Sequence, residues 1–377
     1  MAGRRAAGII LAAAAMALLS PGVAHAAPGA ERRPFGPAEN GEQAELVTLT
    51  NDNGMVVRIS SRGGTITEIL VPDRAGTMGN VVLSSAGNSI IGRFANRIGG
   101  GGFTLDGVRH DLPGANPQTG VTLHAGRPSF AGRLFRTEIE EQGDRALARF
   151  TYVSPDGENG FPGEVTLTVT YSLGAENTLR LDYEAVTTRP TVVNFTNHAY
   201  FTLGTHASGP VYDQLLQVFA TRWTPTDERQ VPTGEIAAVA GTPFDFREPA
   251  RIGDRVYANH PQMLLARGID HNFVLDGTSA AEPRLAARLY DPASGRRMEV
   301  RTSEPGMQIY TANNMLGSAV DADGRAMRQG DGIAFETQHF PDSPNRPEFP
   351  STVLRPGETF RSVTEFAFST DAWKLRD

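Results

Sequence analysis

The feature that most restricts the fold of this chain is a series of short segments in which apolar and polar residues alternate. Four clear examples are "LVTLTNDNGMVVRIS" (46–60), "EVTLTVTYSL" (164–173), "TLRLDYEAV" (178–186) and "SVTEFAFS" (362–369). A period of two is typical of β-strands with one buried face. Helix-like patterns are short and lie around Arg251 to Leu265. The sequence therefore predicts an all-β fold, a large antiparallel β-sandwich with few short helices, and argues against a βαβ architecture.

Charge and cysteine content narrow the functional class. The 377 residues carry a net charge of −7 and show no basic stripe, which argues against nucleic acid as a partner. The chain has no cysteine. It therefore has no disulfide, thiolate nucleophile or cysteine-ligated metal, and its stability must come from the core. Nothing in the sequence predicts an oligomeric state.

The N-terminus has the pattern of a secretory signal peptide. Arg4 and Arg5 precede an apolar run from Ala6 to Leu19, and the small residues Ala24-His25-Ala26 form a cleavage site. The apolar run is too short for a membrane span. We predict that residues 1–26 are removed and that the mature protein, free of the membrane, is secreted or periplasmic. Either the general or the twin-arginine export route is compatible with the pattern.

Two segments follow the predicted cleavage site. Residues 27–44 are rich in Pro, Gly, Ala and charge, and they predict a flexible leader. Residues 45–377 have the strand-and-turn texture throughout, with 41 glycines and 25 prolines in the whole chain. We predict that 45–377 form one sandwich domain.

One strand-like segment ends with unexpected polar residues. In "GIAFETQHF" (332–340), alternation places Ile333 and Phe335 on one face and Glu336 on the other. Glutamate is usually exposed to solvent, so a solvated sheet face is the simple interpretation. The alternative is a polar cleft.

Five further stretches place polar groups in the same way: "VVNFTNHAYFTLG" (192–204), "GMQIYTANN" (306–314), "GIDHNFVL" (268–275), "GRFANRIGGGGFTLDG" (92–107) and "TLHAG" (122–126). Their candidate site residues are Asn96, Arg97, His124, His198, Asp270 and Gln308. Alternation puts Tyr200 on the face of His198, and Tyr310 on the face of Gln308. Each group alone has a structural explanation, such as a turn residue or a surface cation. Together they suit a cleft for a ligand that is covered with hydroxyl groups.

These stretches, with "FETQHFPDSPNRPEFPSTVLRPGE" (335–358), resemble the aldose 1-epimerase (galactose mutarotase) family from about Glu45 to Phe368. The resemblance implies a single β-sandwich of the supersandwich type with an aldohexose in an open cleft, and no metal or organic cofactor. It implies that Glu336 is the catalytic base and His198 the catalytic acid. Asn96, Arg97, His124, Asp270 and Gln308 would bind the sugar, and an assisting role of His124 in the chemistry stays open.

The chain departs from the family pattern at three places. Only "SSAGNSII" (84–91) separates the early "GNVVL" from "GRFANRI", where relatives carry a longer segment. The usual LHGG is "LHAG", and Thr202 stands where the NHxYFNL signature has asparagine. The shortened segment predicts a changed rim of the cleft, with consequences for sugar preference.

The implied reaction needs two proton transfers. A base takes the proton of the C1 hydroxyl while an acid protonates the ring oxygen, and the C1–O5 bond breaks and re-forms. Glutamate, ionised near neutral pH, suits the base, and histidine suits the acid. Three alternatives stay open: a glycoside hydrolase using Asp270 and Glu336, a non-catalytic sugar-binding sandwich, and an epimerase of phosphorylated sugars, which would require extra cations.

Overall fold

In the computed structural model of the protein, the described residues are 28–37, 41–84, 87–277, 282–321 and 323–371. They form mainly β-strands, with two short α-helices, α1 (Ile252–Val256) and α2 (Pro261–Ala266). The prediction of an all-β sandwich with few short helices is confirmed. No helix in these ranges combines the length and the apolar character that crossing a membrane requires. The predicted signal peptide lies outside the described residues.

The strands are numbered in chain order. The first half contains β1 (Gly29–Pro37), β2 (Gln43–Thr50), β3 (Val56–Ser60), β4 (Thr65–Pro72), β5 (Met78–Asn80), β6 (Ile90–Ile91), β7 (Arg97–Ile98), β8 (Gly102–Leu105), β9 (Val108–Asp111), β10 (Thr122–Leu123), β11 (Arg136–Gln142), β12 (Arg145–Ser154), β13 (Val165–Leu173), β14 (Thr178–Thr187) and β15 (Thr191–Val192). The second half contains β16 (Thr196–Asn197), β17 (Tyr200–Phe201), β18 (Leu215–Val218), β19 (Arg222–Trp223), β20 (Ala237–Ala238), β21 (Ala250–Arg251), β22 (Asp270–Val274), β23 (Arg284–Tyr290), β24 (Arg297–Thr302), β25 (Gly306–Tyr310), β26 (Leu316–Val320), β27 (Ala326–Arg328), β28 (Ile333–Gln338), β29 (Val353–Leu354) and β30 (Phe360–Ser369).

Three large antiparallel sheets build the molecule. A nine-stranded sheet has the order β11-β12-β13-β14-β30-β24-β23-β18-β21, and a six-stranded sheet has the order β17-β28-β25-β22-β19-β20. A five-stranded sheet runs in sequence order from β1 to β5. β13 and β14 alternate buried and partly exposed residues along most of their length, as period-two strands with one face on the core do.

The six-stranded sheet packs with one face on the core. Phe201 of β17 contacts Phe366 of β30 with ring centroids 4.8 Å apart, and Phe335 of β28 belongs to the same apolar cluster. Every residue of β28 is buried, so the polar residues on its second face are also shielded from bulk solvent. The alternation places Ile333 and Phe335 in the core and leaves Glu336 on the opposite face.

The structure differs from the predicted flexible leader (residues 27–44). Gly29–Pro37 form β1, which pairs antiparallel with β2 and becomes an edge of the five-stranded sheet. Most side chains of β1 are exposed, so no apolar alternation reveals this strand in the sequence. β1 is held by hydrogen bonds between its backbone and the otherwise unpaired edge of β2. Because every residue has a backbone, amino-acid composition does not predict this pairing.

Candidate active site

A cleft of about 940 Å³ lies on the face of the six-stranded sheet that points away from the core. This volume is within the usual range for small-molecule sites. Six of the seven predicted site residues line it: Asn96, Arg97, His124, His198, Asp270 and Glu336. The seventh, Gln308, is buried and donates from Nε2 to Asp270 Oδ1 at 2.7 Å. The structure therefore brings all seven residues together, although they come from distant parts of the chain.

Strand order explains how three of these residues meet. Asp270, Gln308 and Glu336 lie on the neighbouring strands β22, β25 and β28. Gln308 pairs directly with Glu336 on one side. On its other side, Gln308 pairs with the residue that follows Asp270 by two positions on β22. Side chains at such positions share one face of a sheet, which forms the polar floor of the cleft.

Arg97 forms a buried ion pair with Asp270. Its Nη2 donates to Asp270 Oδ2 at 3.0 Å, and only about a tenth of each side chain is exposed, 11% and 10%. Burial alone would raise the pKa of Asp270, but the guanidinium of Arg97 and its hydrogen bond lower it below the ordinary value. Asp270 is therefore ionised, and its carboxylate accepts hydrogen bonds.

Asn96 and His124 support each other through the backbone. Asn96 has a φ of 65°, a conformation that asparagine tolerates better than most residues. Its N–H donates to Nδ1 of His124 at 3.1 Å, and its carbonyl accepts from the N–H of His124 at 3.0 Å. Burial and the neighbouring His198 lower the pKa of His124 to about 3, so the ring is neutral at ordinary pH. Because Nδ1 is an acceptor, the single proton of the neutral ring lies on Nε2.

His198 and Glu336 form a loose pair at the floor of the cleft. His198 Nε2 lies 3.4 Å from Glu336 Oε1, and the two side chains are 8% and 2% exposed. Burial lowers the pKa of His198 to about 4 and raises the pKa of Glu336 well above its ordinary value. Glu336 Oε2 has no hydrogen-bond partner in the described part of the chain. Burial therefore disfavours the ionised carboxylate that is expected of Glu336 as a catalytic base.

Three further residues belong to the site. The rings of Tyr200 and Tyr310 lie beside His198, with centroids 4.9 and 6.1 Å away, and both residues line the cleft. Their positions on the polar faces of their segments are a signal that could have included them. Gln230 accepts from Arg97 Nη2 at 2.5 Å. It lies in a turn, where no periodic pattern marks a residue as functional.

The site contains one possible metal-ligand group among the described residues. Ligand atoms of His124, His198 and Glu336 all lie within 4.8 Å of one another. The hydrogen bond of Asn96 opposes metal binding by His124, because Nδ1 already accepts an N–H and Nε2 carries the proton. A metal requires a deprotonated nitrogen as its ligand. The donor set therefore suits hydrogen bonding and proton transfer better than a metal ion.

Comparison with known proteins gives a consistent result. The family model described as aldose 1-epimerase matches residues 45–367. A galactose mutarotase from Rattus norvegicus is 39% identical over 352 residues, which cover 90% of this chain and 98% of the relative. An aldose 1-epimerase from Escherichia coli K12 is 34% identical and covers 88% and 97%. The crystal structure of galactose 1-epimerase from Lactobacillus acidophilus NCFM is similar with a TM-score of 0.79 and 29% identity, covering 91% and 99%.

Proposed function

Since this chain belongs to the aldose 1-epimerase family, it is a mutarotase of hexoses, and we propose that Glu336 and His198 form its acid–base pair. In this reaction a base takes the proton of the C1 hydroxyl and an acid protonates the ring oxygen. The C1–O5 bond then breaks, rotation about C1–C2 exposes the other face of the aldehyde, and ring closure gives the other anomer. Each proton-transfer group typically contributes a factor of about 10² to 10⁴.

The observation that carries this proposal is the 3.4 Å separation of His198 Nε2 and Glu336 Oε1 at the floor of the cleft. The hydroxyl oxygen and the ring oxygen of the sugar are bonded to the same carbon atom. An acid and a base that serve both oxygens must therefore lie close together and face one point. Among the seven site residues, this pair meets that requirement with two groups that can each carry or accept a proton.

The proton count of the pair explains how buried groups with shifted pKa values can react. Burial favours a protonated Glu336 and a neutral His198, which together hold one proton. The reactive form, an ionised Glu336 and a protonated His198, also holds one proton. Transfer within the pair therefore prepares base and acid in one step. Hydroxyl groups of the bound sugar supply the polar contacts that stabilise the charged form.

The other polar residues orient the sugar ring. The ion pair of Arg97 and Asp270 offers donors and acceptors to ring hydroxyls, and Gln308 holds Asp270 from below. His124 presents its Nε2–H as a fixed donor. Such fixed groups keep C1 and the ring oxygen at the two catalysts, which converts proton transfer into an intramolecular event.

The engaged state of Asp270 disfavours the hydrolase alternative. Its two oxygens already accept from Arg97 and Gln308, and its pKa is lowered. It is therefore poorly suited to act as a second acid–base carboxylate beside Glu336.

The alternative of a phosphorylated sugar concerns two other residues of the cleft. Two exposed arginines, Arg62 and Arg127, also line the cleft and are the cations that a phosphorylated sugar would use.

Polarimetry tests the activity. Freshly dissolved α-D-glucose or α-D-galactose should reach rotational equilibrium faster in proportion to protein concentration, and prolonged chelation should leave that rate unchanged. D-Glucose 6-phosphate serves as the phosphorylated comparison. Release of new reducing ends from an oligosaccharide without catalysed mutarotation would replace the proposal by a hydrolase. Loss of activity on chelation with recovery on adding zinc would overturn the metal-free mechanism.

A further inference from the structure

Arg97 is held from two sides by acceptors. Its Nη2 donates to Asp270 Oδ2 at 3.0 Å and to Gln230 Oε1 at 2.5 Å. A guanidinium has only donors, so the amide oxygen of Gln230 must be the atom that faces it. The amide nitrogen of Gln230 donates in turn to the carbonyl of Leu265 in α2, at 3.4 Å. The side chain of Gln230 therefore links Arg97 to a helix, and it does not line the cleft itself.

The backbone of Gln230 adopts a conformation that its side chain disfavours. Its φ is 61°, in the left-handed region that glycine and asparagine occupy most easily. The turn is closed by hydrogen bonds from the N–H of Gln230 to the carbonyl of Asp227 and from the N–H of Asp227 to the carbonyl of Val231. Glutamine has no local reason to occupy this position. A strained residue whose side chain contacts a binding group indicates a functional constraint.

The segment that carries Gln230 is anchored without its help. Gln262 of α2 accepts from the N–H and the hydroxyl of Thr226, each at 3.0 Å, and donates to the carbonyl of Thr226 at 2.9 Å. The carboxylate of Asp227 accepts the N–H groups of Arg229 and Val231. The turn should therefore keep its shape when the side chain at position 230 is removed.

We propose that Gln230 is a positioning residue that holds the guanidinium of Arg97 in its sugar-binding orientation. This inference rests on the sugar-binding role proposed for Arg97. Without Gln230 the guanidinium keeps only Asp270 on Nη2 and a long contact of 3.5 Å from Nη1 to Asn96 Oδ1, whereas two acceptors on Nη2 fix its direction. Sugar affinity is then set partly by a residue that does not touch the sugar.

Two variants separate positioning from a structural role. Gln230→Gly removes the amide and also the conformational strain, so its melting temperature should equal or exceed that of the parent. Gln230→Met keeps the side-chain length and the strain but lacks the acceptor. In both variants we expect KM for D-galactose to rise about three- to tenfold, with kcat within about twofold. Arg267→Gly is the matched control. Its φ is 59°, its side chain is exposed, and its KM should not change.

A double-mutant cycle with Arg97→Ala completes the test. If Arg97→Ala raises KM and Gln230→Gly adds nothing to it, Gln230 acts through Arg97 as proposed. An increased KM for Arg97→Ala with unchanged KM for both Gln230 variants would overturn the inference and leave the proposed function intact. Additive effects in the double variant would also overturn it. An unchanged KM for Arg97→Ala would remove the sugar-binding role itself.

Discussion

Two histidine–glutamate pairs, one formed by Glu336 of β28 and the other by His339 just after this strand, differ in distance, hydrogen bonding and pKa. His339 Nδ1 lies 2.6 Å from Glu304 Oε2, a short hydrogen bond between two well-placed groups. His198 Nε2 lies 3.4 Å from Glu336 Oε1 without an aligned hydrogen bond. Burial would lower the pKa of His339, but the charge and hydrogen bond of Glu304 raise it above the ordinary value. The pKa of His198 is lowered to about 4 by burial.

The surroundings of the two pairs explain the difference. The backbone of His339 is fixed on both sides by Asn194, which accepts its N–H at 3.0 Å and donates to its carbonyl at 3.1 Å. Glu336 faces a cleft, and its Oε2 has no hydrogen-bond partner among the described residues. A pair with complete hydrogen bonds stabilises its charges and holds two segments together. A pair with incomplete hydrogen bonds keeps a donor or acceptor that can bind a ligand, and a catalytic pair needs such a free group.

The largest expected effect is on kcat, which should fall when Glu336 is substituted and stay nearly unchanged when Glu304 is substituted. Glu336→Gln keeps the size of the side chain and removes its proton-transfer capacity, so kcat should fall by about 10² or more. Glu304→Gln is the matched control, and its kcat should stay within about threefold of the parent. Polarimetry under saturating sugar, with circular dichroism to verify folding, measures both. A folded Glu336→Gln protein with near-normal kcat would end the assignment of Glu336.

Stability should respond to the same two substitutions with opposite signs. Glu304→Gln weakens a buried charged hydrogen bond and should lower the free energy of unfolding by about 2 kcal/mol. Glu336→Gln removes a group whose raised pKa makes the folded state bind more protons than the unfolded state. Stability of the parent therefore falls as pH rises above the ordinary value of 4.5, and the variant lacks this loss. The stability of the variant should therefore increase relative to that of the parent as pH rises above 4.5.

Urea unfolding at several pH values measures these differences. If Glu336→Gln destabilises the protein as much as Glu304→Gln does, the two pairs are both structural and the comparison fails. An unaltered stability of Glu304→Gln would show instead that the hydrogen bond to His339 contributes nothing measurable.

A smaller effect concerns the pH dependence of each pair. Catalysis needs one proton on the pair of His198 and Glu336, so kcat/KM should fall as pH drops through about 4, where a second proton binds. The raised pKa of His339 makes its contribution to stability complete below 6.5 and lost as pH rises through the raised value. We therefore expect the titration of His339 to lower stability above pH 6.5 without itself producing a step in kcat/KM. A loss of kcat/KM that follows the titration of His339, observed by NMR, would contradict the separation of the two pairs.

The fold could be predicted from the sequence wherever side-chain alternation reports burial. Alternation in "GIAFETQHF" correctly assigned Phe335 to the core and Glu336 to the opposite face. The residues "NDNG" (51–54) separate the two alternating halves of segment 46–60 and are typical of a turn, and the structure has a hairpin of β2 and β3 there. β1 has no such pattern, because its contribution is backbone pairing at an edge. The signal peptide stays a prediction, which N-terminal sequencing of exported protein would test.

The residue types of the candidate site could be predicted from the sequence, but the arrangement of these residues in space could not. The seven residues were named from polar interruptions of strands and from the family resemblance. Their convergence depends on the order β22-β25-β28, which no local pattern encodes. The proton state of Glu336 depends on burial by distant segments. Gln230 could not be found, because its role arises from a turn that meets Arg97 only in the folded chain.

The edge strand β1 also determines how the five-stranded sheet meets solvent. Most residues of β2 are buried, and among the described residues Gly29–Pro37 pair with the outer edge of this strand. Unpaired edge groups on an apolar strand are a template for strands of other molecules, and charged residues and proline on an outer strand discourage such addition. β1 carries such charged residues and a proline at Arg32, Arg33 and Pro34. We therefore expect β1 to protect β2 from pairing with other copies of the protein, and a chain trimmed to begin at Glu45 to aggregate more readily.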